Sequence, residues 1–171
     1  MGILSGNPTN EPMHYGEVFA TWTALQTVKG AIAAYQTKLN HIGDNDLYKL
    51  MEDMISQGKQ EEKQLEQLLK DNGVGLPPAP PDRPKAKLEE IPIGARFQDP
   101  EIAAAIARDN SMALVSASQV MGQCIREDIA MMFGQFHTEK ATFGARILRL
   151  NKEKGWLIPP PLHHSQADEE K

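Results

Sequence analysis

Leu68-Leu69-Lys70-Asp71-Asn72-Gly73-Val74-Gly75-Leu76-Pro77-Pro78 and, 82 residues later, Leu150-Asn151-Lys152-Glu153-Lys154-Gly155-Trp156-Leu157-Ile158-Pro159-Pro160 follow one plan. In each, an amphipathic stretch meets a glycine, and the chain leaves as an apolar segment headed into prolines. Glycine directly after a helical pattern suits the left-handed position that closes a helix. Proline just beyond it cannot continue one. The segments upstream align weakly at the same offset, so the chain reads as a duplicated helix–turn–helix and therefore as two helical hairpins.

Working outward, four segments carry a 3.6-residue apolar period. The first covers residues 12–41, with His14, Val18, Leu25, Val28, Ile32 and Leu39 on one stripe and Trp22 and Tyr35 beside it. Gly43 ends it, and Asp44 suits the N-cap of the next helix. The second covers 45–72, with Leu47, Leu50, Met51, Met54, Gly58, Leu65, Leu68 and Leu69 on its inner face. The third opens at Phe97-Gln98-Asp99-Pro100-Glu101, where Asp99 is predicted as N-cap and Pro100 as the first helical residue. Its stripe is Ile102, Ile106, Ala113 and Val120. The fourth covers 125–154, with Ile129, Met132, Phe133, Phe136, Phe143, Ile147 and Leu150 inward.

Residues 74–96 are too many for a simple turn. Prolines 77, 78, 80, 81, 84 and 92 make the segment stiff and extended, at ~3.1 Å per residue where polyproline-like. It can therefore run the ~40 Å of a helix this long. The expected fold is all-α: a four-helix bundle of ferritin-like type, formed by a hairpin over 12–73, a Pro-rich crossover over 74–96, a hairpin over 97–155 and a C-terminal extension over 156–171, all in one domain. Pro78-Ala79-Pro80-Pro81 is a PxxP-type match, read as a rigid strap rather than a peptide ligand.

Composition agrees. Aromatic residues make up 6% of the 171 and methionine is abundant, which suits packed helices better than a sheet. The net charge of −5 comes from interspersed charges, so there is no basic stripe for nucleic acid. No apolar run reaches the ~20 residues of a membrane span, and residues 1–12 do not form a secretory signal. The expectation is a protein made in the cytoplasm, with no nucleic-acid or membrane partner. The single cysteine, Cys124, excludes an internal disulfide and reads as a small packed residue near a helix start. The acidic Asp168–Glu170 reads as a solvated tail, and His163-His164 as at most a nonspecific metal binder.

Polar residues that interrupt the apolar stripes are the informative exceptions. Turning each helix about 100° per residue puts Glu61, Asp109 and Glu139 on or beside the inner faces. Each also sits roughly 22–26 Å along the bundle, near its middle. Carboxylates on facing helices are what hard cations and iron need, so these three are the metal-site candidates. The di-iron pattern, however, wants Glu-x-x-His on two helices. Gln64 and Thr142 stand where those histidines would be, and His137 turns away from Glu139. The competing reading is a polar layer in which Lys140 and Arg108 pair with the acids and fix helix register. His14 with Glu17 reads as a structural pair at a helix start. There is no nucleophile motif, phosphate loop or CxxC, so no catalytic residue and no cofactor are expected. A third reading, an apolar ligand between helices, would use the space at Gly58, Gly134 and Gly144.

The chain resembles the spore coat protein family of spore-forming bacteria, ferritin-like bundles similar to spore coat protein F. The resemblance rests on His14-Tyr15-Gly16-Glu17-Val18-Phe19-Ala20-Thr21-Trp22, on Leu69-Lys70-Asp71-Asn72-Gly73 with Leu76-Pro77-Pro78, on Phe97-Gln98-Asp99-Pro100-Glu101, and on Lys154-Gly155-Trp156-Leu157-Ile158-Pro159-Pro160-Pro161. It implies a ferritin-like fold and association with the spore coat. It implies no catalytic activity and no site residues. The leading expectation is a non-enzymatic structural or interaction protein that forms a homodimer and contacts other coat proteins.

Overall fold

The computed structural model describes residues 11–163. Four helices carry them: α1 (Tyr15–Leu39), α2 (Asn45–Asp71), α3 (Asp99–Gln123) and α4 (Glu127–Glu153), with no strand among the described residues. The acidic tail, His164 and residues 1–10 lie outside the described residues.

Helices α1 and α2 pack as one hairpin and α3 and α4 as another, and the hairpins meet α1 against α3 and α2 against α4. Direction follows from the helix ends. The Asp99 carboxylate, at the start of α3, accepts the N–H groups of Gly43 and Asp44 at 3.0 Å each. Lys154, just past α4, pairs with Asp44 and Asp46 at 2.7 Å. Helices α2 and α3 therefore start at the same end of the bundle and run the same way. The chain between them must travel the full length, and residues 72–98 do so.

That crossover is tied along α1. Trp22 Nε1 donates to the Gly75 carbonyl at 3.0 Å, and Lys29 Nζ to the Pro77 carbonyl at 3.0 Å. Gln36 holds Asp82 and Arg83, and Asn40 holds Pro84 and Ala86. The strap is not extended throughout: Leu88–Glu90 and Ile93–Ala95 each form one 3-10 turn.

The two halves are alike in detail. The bounds of α2 moved by 82 residues are those of α4. Gly73 and Gly155 adopt φ of 69° and 70°. The N–H that closes each helix donates at 2.9 Å, Val74 to Leu69 O and Trp156 to Asn151 O. An L side chain in this left-handed region costs about 1–2 kcal/mol. Gly73→Ala and Gly155→Ala are each expected to lower stability by that amount in urea unfolding. Gly75→Ala, with negative φ and open space around its Cβ, should change it by less than about 0.5 kcal/mol.

Three helix ends differ from the sequence reading. Gln98, not Asp99, is the N-cap of α3, in a capping box with Glu101. Asp99 is instead turned to the α1–α2 loop, where it finds two backbone donors. Helix α4 starts at Glu127, after Arg126, and Cys124, close before that start, is the C-cap of α3. Helix α1 begins at Tyr15 because His14 caps it: His14 Nδ1 accepts the Gly16 N–H at 2.9 Å, and Glu17 Oε2 accepts the His14 N–H at 3.1 Å.

The apolar interior has two clusters. One, near the α1–α2 turn, centres on Leu47, Met51, Ile102 and Ile147. The other, near the α3–α4 turn, centres on Leu25, Leu65, Ile129 and Phe133. The polar layer described next belongs to neither.

Candidate functional site

The candidate acids occupy the middle of the bundle, and each has a partner. Glu61 is 3% exposed and forms an ion pair with Lys140 of α4. Glu139 accepts from Gln57 of α2 and from Gln135 at 3.0 Å. Gln57 and Glu139 are 82 residues apart, so equivalent positions of the two hairpins touch here. Asp109 pairs with Lys38 of α1 at 3.5 Å and with neighbouring Arg108 at 3.4 Å. Burial of its ring raises the Tyr35 hydroxyl far above the usual tyrosine range, helped by the charges of Asp109 and Glu61 and by a hydrogen bond to Asp109. Tyr35 therefore stays a neutral donor to Asp109.

Burial also raises the Glu61 carboxyl. Lys140 opposes that shift by charge and hydrogen bond, while the charge of Glu139 adds to it. Beside this pair, Asn110 Nδ2 donates to the Lys140 carbonyl at 3.0 Å, while its buried Oδ1 has no hydrogen-bond partner. Among the described residues no group of three or more His, Cys, Asp or Glu side chains is placed to hold a metal ion. The arrangement instead ties α2 to α4 and α1 to α3 at one level. These are the main helix pairings between the hairpins.

Two further polar clusters were not singled out by the sequence. At the α3–α4 turn, Glu17 is 1% exposed, and its Oε1 accepts the N–H groups of Ile125 and Arg126 at 2.8 and 2.9 Å. Buried Arg126 bridges Asp128 at 2.6 Å, Asn72 Oδ1 at 2.8 Å and the Glu11 carbonyl at 3.1 Å. Along the strap, buried Lys29 pairs with Glu66 at 2.8 Å as well as with Pro77. Helical period marked Glu17 only as a local partner of His14 and gave no sign of Lys29, because their partners come from residues far along the chain.

The remaining candidates have packing roles. The Cys124 thiol is pushed up to about 11, mainly by burial and then by the charges of Glu17 and Asp128, so it is a poor nucleophile at neutral pH. A Cβ on Gly58 would sit 3.2 Å from Ile32, one on Gly144 3.0 Å from Asn110, and one on Gly134 3.5 Å from Met121. These glycines admit a neighbour's side chain. The concave features lie at the surface. A cleft of about 310 Å³ between α1, α2 and the strap is lined by Lys29, Gln36, Lys59, Glu62 and Asp82. An open trough of about 470 Å³ on α4 is lined by Thr138, Ala141, Thr142 and Ala145 between Arg146 and Arg149. No helix among the described residues is long and apolar enough to cross a membrane.

Comparison with known proteins places this geometry. A family model described as "Protein of unknown function (DUF3231)" matches residues 1–168. The uncharacterized protein YvdQ of Bacillus subtilis (strain 168) is 58% identical over 163 residues, which is 95% of this chain and 96% of YvdQ. A crystal structure of "a putative spore coat protein" from Bacillus halodurans C-125 is 58% identical, with a TM-score of 0.92 over 93% of this chain and 100% of that one. A conserved hypothetical protein from Mycobacterium tuberculosis, at 16% identity and a TM-score of 0.63 over 79% of this chain and 96% of that one, shares the fold.

Proposed function

The chain belongs to the DUF3231 family, and from that premise we propose that it is a non-enzymatic, self-associating structural protein of the bacterial spore coat. The observation that carries the reading is the 58% identity, over 93% of this chain and all of that one, to the B. halodurans protein described as "a putative spore coat protein". At that identity, with a TM-score of 0.92, the two proteins share one fold, and a shared setting is the simplest reading of that likeness. In that setting the chain is made in the sporulating cell and deposited on the coat, in contact with further copies and other coat proteins. The one long crossover gives the helix order of ferritin-like bundles, and the offset of 82 between α2 and α4 supports descent by duplication.

The polar interior favours a structural role over catalysis. Its most deeply buried acids, Glu17 and Glu61, face backbone N–H groups and a lysine, and so fix helix ends and register. A fluorescent fusion expressed under a sporulation promoter in a Bacillus host tests the setting. The expected result is fluorescence ringing the released spore and removed by coat extraction. Signal that stays diffuse in the mother cell and is absent from washed spores would contradict it.

A further inference from the structure

The outward side of α4 carries a seam that its counterpart in the first hairpin lacks. Met131, Gly134, Thr138, Ala141, Ala145 and Leu148 recur at alternating steps of three and four residues, the spacing of a coiled-coil contact line. Met131 is 75% exposed and Leu148 46%, and Val115 on neighbouring α3 is 69% exposed. Moved back by 82 residues, the same positions on α2 are Lys49, Glu52, Ser56, Lys59, Lys63 and Glu66. One hairpin thus presents an ordinary charged helix surface, and the other an uncharged one at matching positions. Helix α3 continues the uncharged surface, having no charged residue from Asn110 to Gln123.

The ends of the seam are of opposite sign. One helical step beyond Met131 is Glu127, and one beyond Leu148 is Lys152, both exposed, with Arg149 adding to the basic end. A helix with this pattern complements itself when reversed: Met131 faces Leu148, Gly134 faces Ala145, Thr138 faces Ala141 and Glu127 faces Lys152. A face that fits its own reversed copy is what a two-fold interface requires. The small central residues let two helices approach toward the ~8 Å end of the usual range. Two helices of this length side by side present roughly 40 Å by 20 Å, about 800 Å², which is the share each partner contributes to a stable interface.

We propose that this face binds a second copy of the chain, with α4 packed antiparallel on α4 and Glu127 of each copy paired with Lys152 of the other. The inference rests on the self-associating reading above and names the surface it uses.

Sedimentation velocity across a concentration series of the full-length protein tests it. The wild type is expected to dimerise. Ala141→Arg, at an exposed position, should weaken the dimer at least about 100-fold and leave the thermal midpoint of the monomer unchanged. Glu127→Lys should also weaken it, and Glu127→Lys with Lys152→Glu should restore it, as only the antiparallel arrangement demands. A dimer indifferent to Ala141→Arg would overturn this surface while leaving self-association standing. A wild type that stays monomeric throughout would overturn both and leave the face to a different protein.

Discussion

Replacing Glu17 with alanine is expected to lower the stability of the fold by about 3–5 kcal/mol, the range for removing one member of a buried, hydrogen-bonded charge cluster. The carboxylate accepts three backbone N–H groups, from His14, Ile125 and Arg126. The last two sit at the entry to α4, where unpaired donors and the positive end of the helix dipole both favour an anion. Alanine would leave these donors without their acceptor, the Arg126 N–H in a buried position, and would remove the negative charge beside buried Arg126. For a chain of this size the loss corresponds to a fall in melting temperature of roughly 10 °C, read by circular dichroism. Glu17→Gln keeps an acceptor oxygen and should fall between the two. A change under about 1 kcal/mol for Glu17→Ala would mean that water or another group replaces the carboxylate.

The second large effect is at Lys140, and its sign with pH is the informative part. Lys140→Met removes the cation that faces Glu61, leaving a 3% exposed carboxylate without its opposite charge. At neutral pH the cost is about 3 kcal/mol, at the low end of the range because Lys140 is itself 21% exposed. The folded Glu61 carboxyl already titrates above its unfolded value, 4.5, because of burial, and losing Lys140 moves it higher. A group shifted up in this way contributes stability that is fully present below pH 4.5 and is lost as pH rises through the folded value. The penalty of Lys140→Met should therefore be largest at neutral pH and shrink on acidification toward 4.5. Urea unfolding of wild type and variant over that interval reads the difference directly. Asp44, Glu66 and Asp128 behave oppositely. Their carboxyls are lowered, chiefly by hydrogen bonds from Lys154, Lys29 and Arg126. Their stabilisation is present above the unfolded values and is lost as pH falls through the folded ones, in both proteins alike.

What could be read from the sequence divides along physical lines. Helix ends closed by Gly73 and Gly155 were legible because a left-handed backbone needs a residue without Cβ, and that requirement is local. The inner faces of α2 and α4 were legible because Leu and Phe recur at the helical period over seven turns. The acids at mid-height were legible because they interrupt those stripes, and Lys140 was recognised as a possible partner. Which acid it meets was not, because helix rotation and register are set by packing between hairpins.

Helix α1 hid the most. Its buried residues include Glu17, Thr21 and Lys29, whose identities suggest a solvated face. Lys29 is inside because the strap lies over it and supplies the Pro77 carbonyl while α2 supplies Glu66. Asp99 looked like a cap by its position before Pro100, yet the loop of the other hairpin offers it two donors and Gln98 takes the cap. In each case a contact tens of residues away outweighs the local preference.

The claim that the mid-bundle acids serve the fold is tested most directly by elemental analysis of tag-free protein purified from metal-replete cells. The expected result is no stoichiometric iron, manganese or zinc, in wild type and in Glu61→Ala alike. One metal ion per chain in the wild type, lost in Glu61→Ala, would contradict it.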